Sequence, residues 1–564
     1  MAPSCPAVPQ TTQKGHDVHR IRGNPWAVLI ALCMGFFMTL LDTTVVGVAI
    51  PDIVTRLGIT YSEVLWVSNA YVLVLAALLI PGGMIGDRLG KRNVYLAGVA
   101  VFTLASALCS ISQTAGQLVA ARGLQGLGAA ALIPQTISII MSVFPPERRG
   151  AALGVWGAVA GVATVAGPPL GGLLVGALDW RWIFTINIPL GALVLVLAPM
   201  IIPAGQRPPT RGKLDLRGML LLTAGLAALT YGLQEGQQYD WNTKITLVLA
   251  LGVVLLAVFV VSQRNPGARQ PVMPLGLLAT RTFGLMNLSA VGLSVGIMSM
   301  AIGFQLYAQS VLGMSPLAAG AVSAPMSAVS VLLGPYAGRL SDRIGGRPMV
   351  FGGLAVFGLG LLAFALTSGP ESTAWTLLPS MLLMGVGLGC TFGPLAAVAM
   401  SEVPLMASGS ASGMLNATRQ LGAVLGTAGF GVLLQNRLAG DLDARAVAAA
   451  TTLPPEVRGS FISGVHGAAN SGLDFGALSS GSAGLSPSMS HDLAAQVTAA
   501  TREVFSDGYV AAMHTSLALP IAAVVLAALL SLFATRKPTV VPPSAPEPVP
   551  DFPPEGGVEP AAVS

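Results

Sequence analysis

Asp42 and Arg122 are charged residues set inside long apolar stretches of the 564-residue chain. A charge at the centre of a membrane helix costs at least about 2.5–3.5 kcal/mol on insertion scales, so such residues are rare and usually functional. Burial favours the neutral, protonated form of an aspartate, and a neighbouring arginine favours its ionised form. This pair of residue types can therefore bind and release a proton. The alternative is that Asp42 is a structural, hydrogen-bonding residue.

The depths of Asp42 and Arg122 predict that the two side chains meet. Asp42 lies about eight residues below the outer end of the first predicted span, and Arg122 about five below the outer end of the fourth. At the helical rise of about 1.5 Å per residue, they are within roughly one turn in depth. We expect Asp42 to be a proton and substrate site whose affinity for the proton depends on Arg122.

Arg419 is the other charged residue that falls well inside a predicted span, with Asn416 beside it. Such a cation is satisfied by backbone carbonyls or by reaching the interface, or else it lines a cavity. With Gln305, these residues are candidates for the wall of a central cavity. One carboxylate facing two arginines disfavours a dication, so we expect neutral, anionic or monocationic cargo.

The composition requires a lipid environment around these residues. The chain is 53% hydrophobic and 9% charged, against about 25% charged in an ordinary globular protein. That excludes a soluble fold, and the apolar content excludes a disordered chain. The net charge of +5 is scattered in twos and threes, which does not predict nucleic-acid binding.

The apolar runs predict fourteen membrane-spanning helices, since about 20 apolar residues cross the hydrocarbon core. The spans are predicted at residues 26–50, 62–83, 93–111, 117–143, 150–176, 182–202, 216–236, 244–263, 282–307, 316–338, 348–367, 373–400, 406–435 and 512–535. With the N-terminus inside, fifteen Lys and Arg residues fall in short cytoplasmic loops and three in short outer loops. Both termini are therefore predicted in the cytoplasm and the protein in the cell membrane.

A repeated motif divides the chain into two halves. Residues 83–92 (GMIGDRLGKR) recur as residues 338–347 (GRLSDRIGGR), each after an even-numbered span. The repeat predicts two six-helix bundles related by an axis along the membrane normal, with a cavity between them. The predicted units are a cytoplasmic tail (1–23), a first bundle (24–203), two extra helices with their linkers (204–281), a second bundle (282–535) with an extracellular loop (436–511), and a disordered cytoplasmic tail (536–564).

The chain resembles the major facilitator superfamily, in particular its fourteen-spanner drug:proton antiporter branch of the QacA/EmrB type. The resemblance covers spans one to thirteen. It rests on the loop motif at 83–92 and on residues 41–51 (LDTTVVGVAIP), 122–128 (RGLQGLG), 161–172 (GVATVAGPPLGG) and 180–189 (WRWIFTINIP).

The resemblance implies a role for each motif, with proton coupling at Arg122 in the first half. The loop motif is expected to latch one conformation through Gly83, Asp87, Arg88, Gly90, Arg92, Asp342 and Arg343. The fifth-span motif characteristic of exporters comprises Gly161, Gly167, Pro168, Gly171 and Gly172.

The function expected is proton-driven export of hydrophobic or amphipathic small molecules, such as drugs, antibiotics or secondary metabolites, by alternating access. The partners expected are that cargo, protons and the lipid bilayer, with no cofactor other than the proton gradient and no obligatory protein partner.

Other functions fit the sequence less well. An uptake carrier or proton symporter of the same fold is the alternative, although the fifth-span glycines and prolines disfavour it. The four cysteines have no metal-binding spacing, and the five histidines fall in tails, in the outer loop or at a span edge. An enzyme or a metal site is therefore not predicted. The missing phosphate-binding motif excludes an ATP-driven pump.

Overall fold

The computed structural model describes residues 24–534 except 60, 205–212, 237–238, 240, 265–268, 271–274, 471–474, 484 and 486–488. The two predicted tails, 1–23 and 536–564, lie outside the described residues.

Fourteen long helical segments, α1 to α14, account for most of this part of the chain. Several continue well past the predicted apolar runs, and the last predicted span forms only the end of α14. In chain order they are Pro25–Leu57, Tyr61–Leu89, Lys91–Ile111, Ala115–Val143, Arg149–Ala177, Trp182–Ile201, Leu216–Glu235, Thr243–Arg264, Arg281–Leu306, Pro316–Ile344, Gly346–Thr367, Ala374–Met400, Ser408–Ala450 and His491–Ser531.

Among the described residues, twelve of these segments are long and apolar enough to cross a membrane. The protein is therefore a multi-pass membrane protein. The two long helices outside this set are α5 and α13. Both pack within the bundle, and α13 carries the polar residues Asn416, Arg419 and Gln420.

Two crossed helix contacts join the first half of the chain to the second. Helix α2 packs along α13, and α5 packs along α10. Gly83 meets the backbone of Gly409 in the first contact, and Gly150 meets Gly338 in the second. A Cβ atom on any of these glycines would overlap backbone atoms, so the absence of side chains permits this approach. We call the end of the bundle where these contacts lie the Asp87 end, and the opposite end the Leu57 end.

Helices α7 and α8 form an antiparallel pair at the side of the bundle. Helix α7 packs against α2 and touches α13, while α8 packs mainly on α7. A two-residue strand before α7, Lys213–Leu214, pairs in parallel with Arg269–Gln270 after α8. The pair thus abuts one of the two contacts between the halves.

The predicted outer loop at 436–511 is mostly helical where it is described. Helix α13 continues to Ala450, and the helices Pro455–Asn470 and Phe475–Ser480 precede α14. Three residues of this segment are buried: Leu442 in α13, Phe461 in the helix Pro455–Asn470, and Val497 in α14. The segment therefore forms a packed helical cap at the Leu57 end.

The glycine contacts generate a test of the α5–α10 packing. We expect Gly154→Val to lower the thermal unfolding midpoint, because a side chain there would overlap the backbone of Gly334. Overpacking of this kind costs about 1–3 kcal/mol. The matched control is Gly176→Val in the same helix, where a Cβ meets nothing within 4 Å. Equal midpoints for the two variants in detergent would contradict the assigned contact.

Candidate functional site

Asp42 of α1 and Arg122 of α4 form a buried ion pair, as the depths of the two residues in their helices predict. Arg122 Nη1 donates to Asp42 Oδ2, and the side chains are 1% and 0% exposed, respectively. Asp42, Asp215 and Glu235 are the buried carboxylates in the described part of the chain. Asp42 is paired with an arginine.

Three amide and hydroxyl side chains complete the surroundings of the ion pair. Gln125 Nε2 donates to Asp42 Oδ1 at 2.9 Å and to Ser106 Oγ at 2.7 Å, while Gln125 Oε1 accepts from Arg122 Nη1 at 2.6 Å. Asn187 Nδ2 of α6 donates to the same Asp42 oxygen at 3.1 Å. The carboxylate is therefore held by α4 and α6 together.

Arg122 is also held by groups that would remain if Asp42 became neutral. Its Nε donates to the carbonyl oxygen of Val67 in α2 at 2.9 Å. Its guanidinium carbon lies 4.4 Å from the centroid of the Tyr71 ring and 5.8 Å from that of Phe184. A cation over an aromatic face is stabilised by about 2 kcal/mol or more when desolvated. Arg122 thus connects Asp42 to α2 through the Val67 carbonyl and the Tyr71 ring.

A central cavity of 590 Å³ lies between the two halves, next to this ion pair. Thr43 and Tyr71 line it, whereas Asp42 and Arg122 lie behind these two residues and do not. Its volume falls in the range of about 300–1,000 Å³ that suits drug-sized ligands.

Arg419 of α13 is the one charged residue among the described residues that line the cavity. Asn416 also lines it. Gln305 does not line it. On α9, Gln305 shares a helix face with the cavity-lining Ser294 and Met298 but is exposed two turns nearer the Leu57 end.

The two loop-motif aspartates make equivalent contacts between the halves. Asp87, at the end of α2, accepts from the backbone amides of Gly409 at 2.8 Å and Ser410 at 2.7 Å. Asp342, at the end of α10, accepts from Gly150 at 2.8 Å and Ala151 at 2.9 Å.

Each carboxylate therefore caps the N-terminus of a helix in the other half, where free amides and the helix dipole favour a negative charge. The repeat in the sequence becomes two crossed caps in the structure.

The other latch residues have less uniform surroundings. Gly90 adopts a φ of 98° between α2 and α3, a conformation that favours glycine. Arg92 donates to the carbonyl oxygen of Pro199 in α6, within its own half. Arg88 is half-buried in the same region, while Arg343 is exposed.

Lys91 is a further cross-half contact that sequence reasoning did not single out. Its Nζ donates to Leu405 O at 2.9 Å and to Ser408 Oγ at 2.6 Å. The corresponding residue in the second repeat is Gly346, so this bond has no equivalent there.

The glycines of the fifth-span motif contact two different neighbours of α5. Gly161 lines the cavity and faces Val331 of α10, whereas Gly167 faces Thr44 of α1. Gly171 faces Val45 and Val48 of α1, and a Cβ added at Gly172 would meet nothing within 4 Å. The side chain of Pro168 lies outside the described part of the chain. Helix α5 therefore contacts the second half at the Asp87 end and its own half at the Leu57 end.

Sequence reasoning missed several partners in this region. Gln125 follows Arg122 by three residues and so lies on the same helix face, a spacing that could have indicated it. Asn187 lies on a helix whose rotation the sequence did not define. Glu235 is 1% exposed at the end of α7 and accepts from Asn69 Nδ2 of α2 at 2.9 Å. Its position at the edge of a predicted span concealed its burial.

These features define a class of protein: a multi-pass helical bundle with two related halves, a central cavity and a buried ion pair beside it. The chain belongs to the Major Facilitator Superfamily, whose family model matches residues 32–427. Membership in this family makes it a transporter rather than an enzyme.

Several curated proteins are similar to this chain over most of their length. It is 40% identical to an uncharacterized MFS-type transporter of Mycobacterium tuberculosis, over 74% of this chain and 72% of that protein. It is 36% identical to the probable actinorhodin transporter of Streptomyces coelicolor, over 72% and 73%. It is 33% identical to the tetracenomycin C resistance and export protein of Streptomyces glaucescens, over 74% and 77%. Its homologues thus include drug and antibiotic resistance exporters.

A solved structure confirms the fold. The crystal structure of the human organic anion transporter MFSD10 (TETRAN) matches with a TM-score of 0.52 and 15% identity, over 73% of this chain and 93% of that one. At this identity the likeness concerns the fold alone.

The crossed caps generate a second test. We expect the double variant Asp87→Asn, Asp342→Asn to separate the halves at the Asp87 end, because each asparagine loses the charge that attracts two amides. Hydrogen bonds to charged groups are worth about 1.5–3 kcal/mol, so the open population should rise about tenfold or more. Spin labels at the exposed Leu89 and Leu405 would report a longer distance by electron resonance. The control is Glu147→Gln, an exposed acid at the same end; an unchanged distance in the double variant would contradict the latch.

Proposed function

We propose that the protein is a proton-coupled antiporter that exports hydrophobic or amphipathic small molecules by alternating access. The observation that carries this proposal is the buried Asp42–Arg122 pair directly behind the wall of the central cavity. A carboxylate in this position can exchange a proton while its partner acts on the surface that meets cargo.

The proposed topology has fourteen spans, arranged as two six-helix bundles with α7 and α8 as extra helices. Both termini are cytoplasmic, and the protein lies in the cell membrane. The excess of Lys and Arg in alternate loops supports this orientation. It makes the Asp87 end the cytoplasmic end and the Leu57 end the outer end.

In this topology, the conformation of the bundle is closed towards the cytoplasm. The glycine contacts, the crossed aspartate caps and the Lys91 bonds all lie at the Asp87 end. The exposed face of α9 at Gln305 supports an opening towards the outside. The alternate state would break the caps and close the Leu57 end, by rocking one half against the other.

Coupling follows from the electrostatics of the ion pair. Protonation of Asp42 removes the charge that neutralises Arg122, and a buried charge left without its partner costs about 3–5 kcal/mol. Arg122 would then shift towards its remaining partners, the Val67 carbonyl and the Tyr71 ring. Tyr71 lines the cavity, so a proton bound at Asp42 changes the surface that cargo meets.

Export rather than uptake is favoured by the relatives and by α5. A relative at 33% identity is named a resistance and export protein. The glycine contacts of α5 with α10 and α1 match the exporter motif that the sequence resembles. The proposed cargo is a drug, antibiotic or secondary metabolite, and the proton gradient is the only energy source.

The proton coupling is tested with purified protein in liposomes under an imposed proton gradient. We expect Asp42→Asn to lose uphill transport of dyes from a panel of neutral, anionic and monocationic compounds, by tenfold or more. Exchange of the same dyes without a gradient should persist, because asparagine keeps the shape and polar contacts of the site. The direction of movement distinguishes export from uptake.

The matched control is Asp52→Asn, a residue of the same helix in a surface ion pair with Arg56. It should transport like the parent protein, since such exposed pairs contribute about 0–1 kcal/mol. Full proton-driven transport by Asp42→Asn would refute the assignment of Asp42.

A further inference from the structure

We propose that Arg419 and the aromatic wall beside it form a cargo subsite that selects flat aromatic molecules carrying an anionic group, such as a carboxylate or phenolate. The proposal rests on the transport function above and names the class of cargo that the cavity favours.

Arg419 is a buried cation that its own protein leaves partly unsatisfied. The residue is 8% exposed, and its Nη2 donates to the carbonyl oxygen of Phe392 at 3.2 Å. Among the described residues, its Nε and Nη1 have no hydrogen-bond partner. Two buried N–H groups without an acceptor cost free energy, and a charged group costs more than a neutral one. An acceptor supplied by cargo would satisfy both.

The guanidinium lies against a stack of rings that spans both halves. Its central carbon is 4.3 Å from the Phe392 centroid and 5.7 Å from the Trp156 centroid. Trp156 stacks on Phe392 with centroids 5.7 Å apart, and on Phe36 at 4.4 Å with 14° between the ring planes. All four residues line the cavity.

The cavity lining is therefore aromatic beside Arg419, and this arginine has two donors that no protein group uses. Flat aromatic rings pack favourably against such rings, and a planar guanidinium binds carboxylates through two parallel hydrogen bonds.

The charge balance of the cavity favours an anion. Asp42 and Arg122 neutralise each other behind the wall, so Arg419 gives the lining a net positive charge. A cationic cargo would meet that charge in a site of low dielectric, where repulsion is strong. An aromatic anion would both satisfy the guanidinium and keep the cavity neutral overall.

The ring stack also places residues of both halves of the bundle in contact with cargo. Phe36 and Trp156 belong to α1 and α5, whereas Phe392 and Arg419 belong to α12 and α13. A ligand bound here contacts the two halves at once, so separation of the halves would divide its contacts. Binding at this subsite would therefore be sensitive to the conformational state.

The experiment measures equilibrium binding to the purified full chain in detergent, without any gradient, by the fluorescence anisotropy of three matched probes. They are anthracene-9-carboxylate, anthracene-9-carboxamide and 9-(aminomethyl)anthracene, which share the ring system and differ in charge. We expect the carboxylate to bind at least tenfold more tightly than the carboxamide, and the amine to bind most weakly. Hydrogen bonds to charged groups account for a difference of this size.

Three variants and a control locate the effect. Arg419→Gln should remove the preference for the carboxylate, while Arg419→Lys should retain part of it, because the ammonium keeps the charge but not the fork. Phe392→Leu should lower the affinity for all three probes by a similar factor. Arg437→Gln, an exposed arginine on the same helix, should bind like the parent protein.

The thermal midpoint separates this role from a structural one. Without ligand, Arg419→Gln should unfold at the same temperature as the parent protein or higher, because it removes an unsatisfied buried charge. Equal binding of the three probes to the parent protein would overturn the proposal. So would a carboxylate preference that survives in Arg419→Gln.

Asp42→Asn distinguishes this proposal from the proposed function. It should still bind the carboxylate more tightly than the carboxamide, because the Arg419 guanidinium that gives this preference is unchanged. Loss of proton-driven export with intact charge preference would leave the subsite standing. Equal binding of the three probes to a parent protein that carries out proton-driven export would reject the subsite alone.

Discussion

The structure depends on one constraint: a buried charge costs free energy unless a neighbouring group neutralises it or forms hydrogen bonds with it. Asp42 meets this constraint with Arg122, Gln125 and Asn187, which come from two other helices. Asp87 and Asp342 meet it with backbone amides of the opposite half. Each solution fixes helices against one another, so the few charges of this chain determine how its many apolar residues pack.

The same constraint bears on the two states that the proposed transport cycle requires. The contacts between the halves at the Asp87 end are close approaches of glycine backbones and charge-assisted helix caps. These interactions act over short distances, so they break at the same time when the halves move apart. Apolar packing along α2 and α13 or α5 and α10 alone would slide without a defined end point. A carboxylate on a helix N-terminus is either bound or exposed to water, and this discreteness favours two alternatives rather than a continuum.

Sequence reasoning located the charges but not their surroundings. The pairing of Asp42 with Arg122 followed from depth alone, because both positions are measured along helices of known rise. The crossed caps did not follow, because a repeat reveals equivalent residues and not which of them meet. Glu235 was missed at a span edge, and Gln305 lies two turns beyond the lining of this cavity, because both positions depend on how far a helix continues and how it is rotated. Helix ends and helix rotation are determined by packing between helices, which the local sequence of one helix does not specify.

In the proposed mechanism the proton site at Asp42 lies outside the cargo cavity, whereas the sequence analysis combined the two sites at Asp42. A proton at Asp42 is screened from the cavity by Thr43 and Tyr71, so cargo need not compete with it for the same oxygens. Coupling must then pass through Arg122 and the ring of Tyr71. An exporter of this kind would accept cargo of varied shape. Proton binding at Asp42 would depend on the conformation of the cavity lining and not on direct contact with the cargo. We assign selectivity by charge instead to Arg419, the one cation in the described cavity lining.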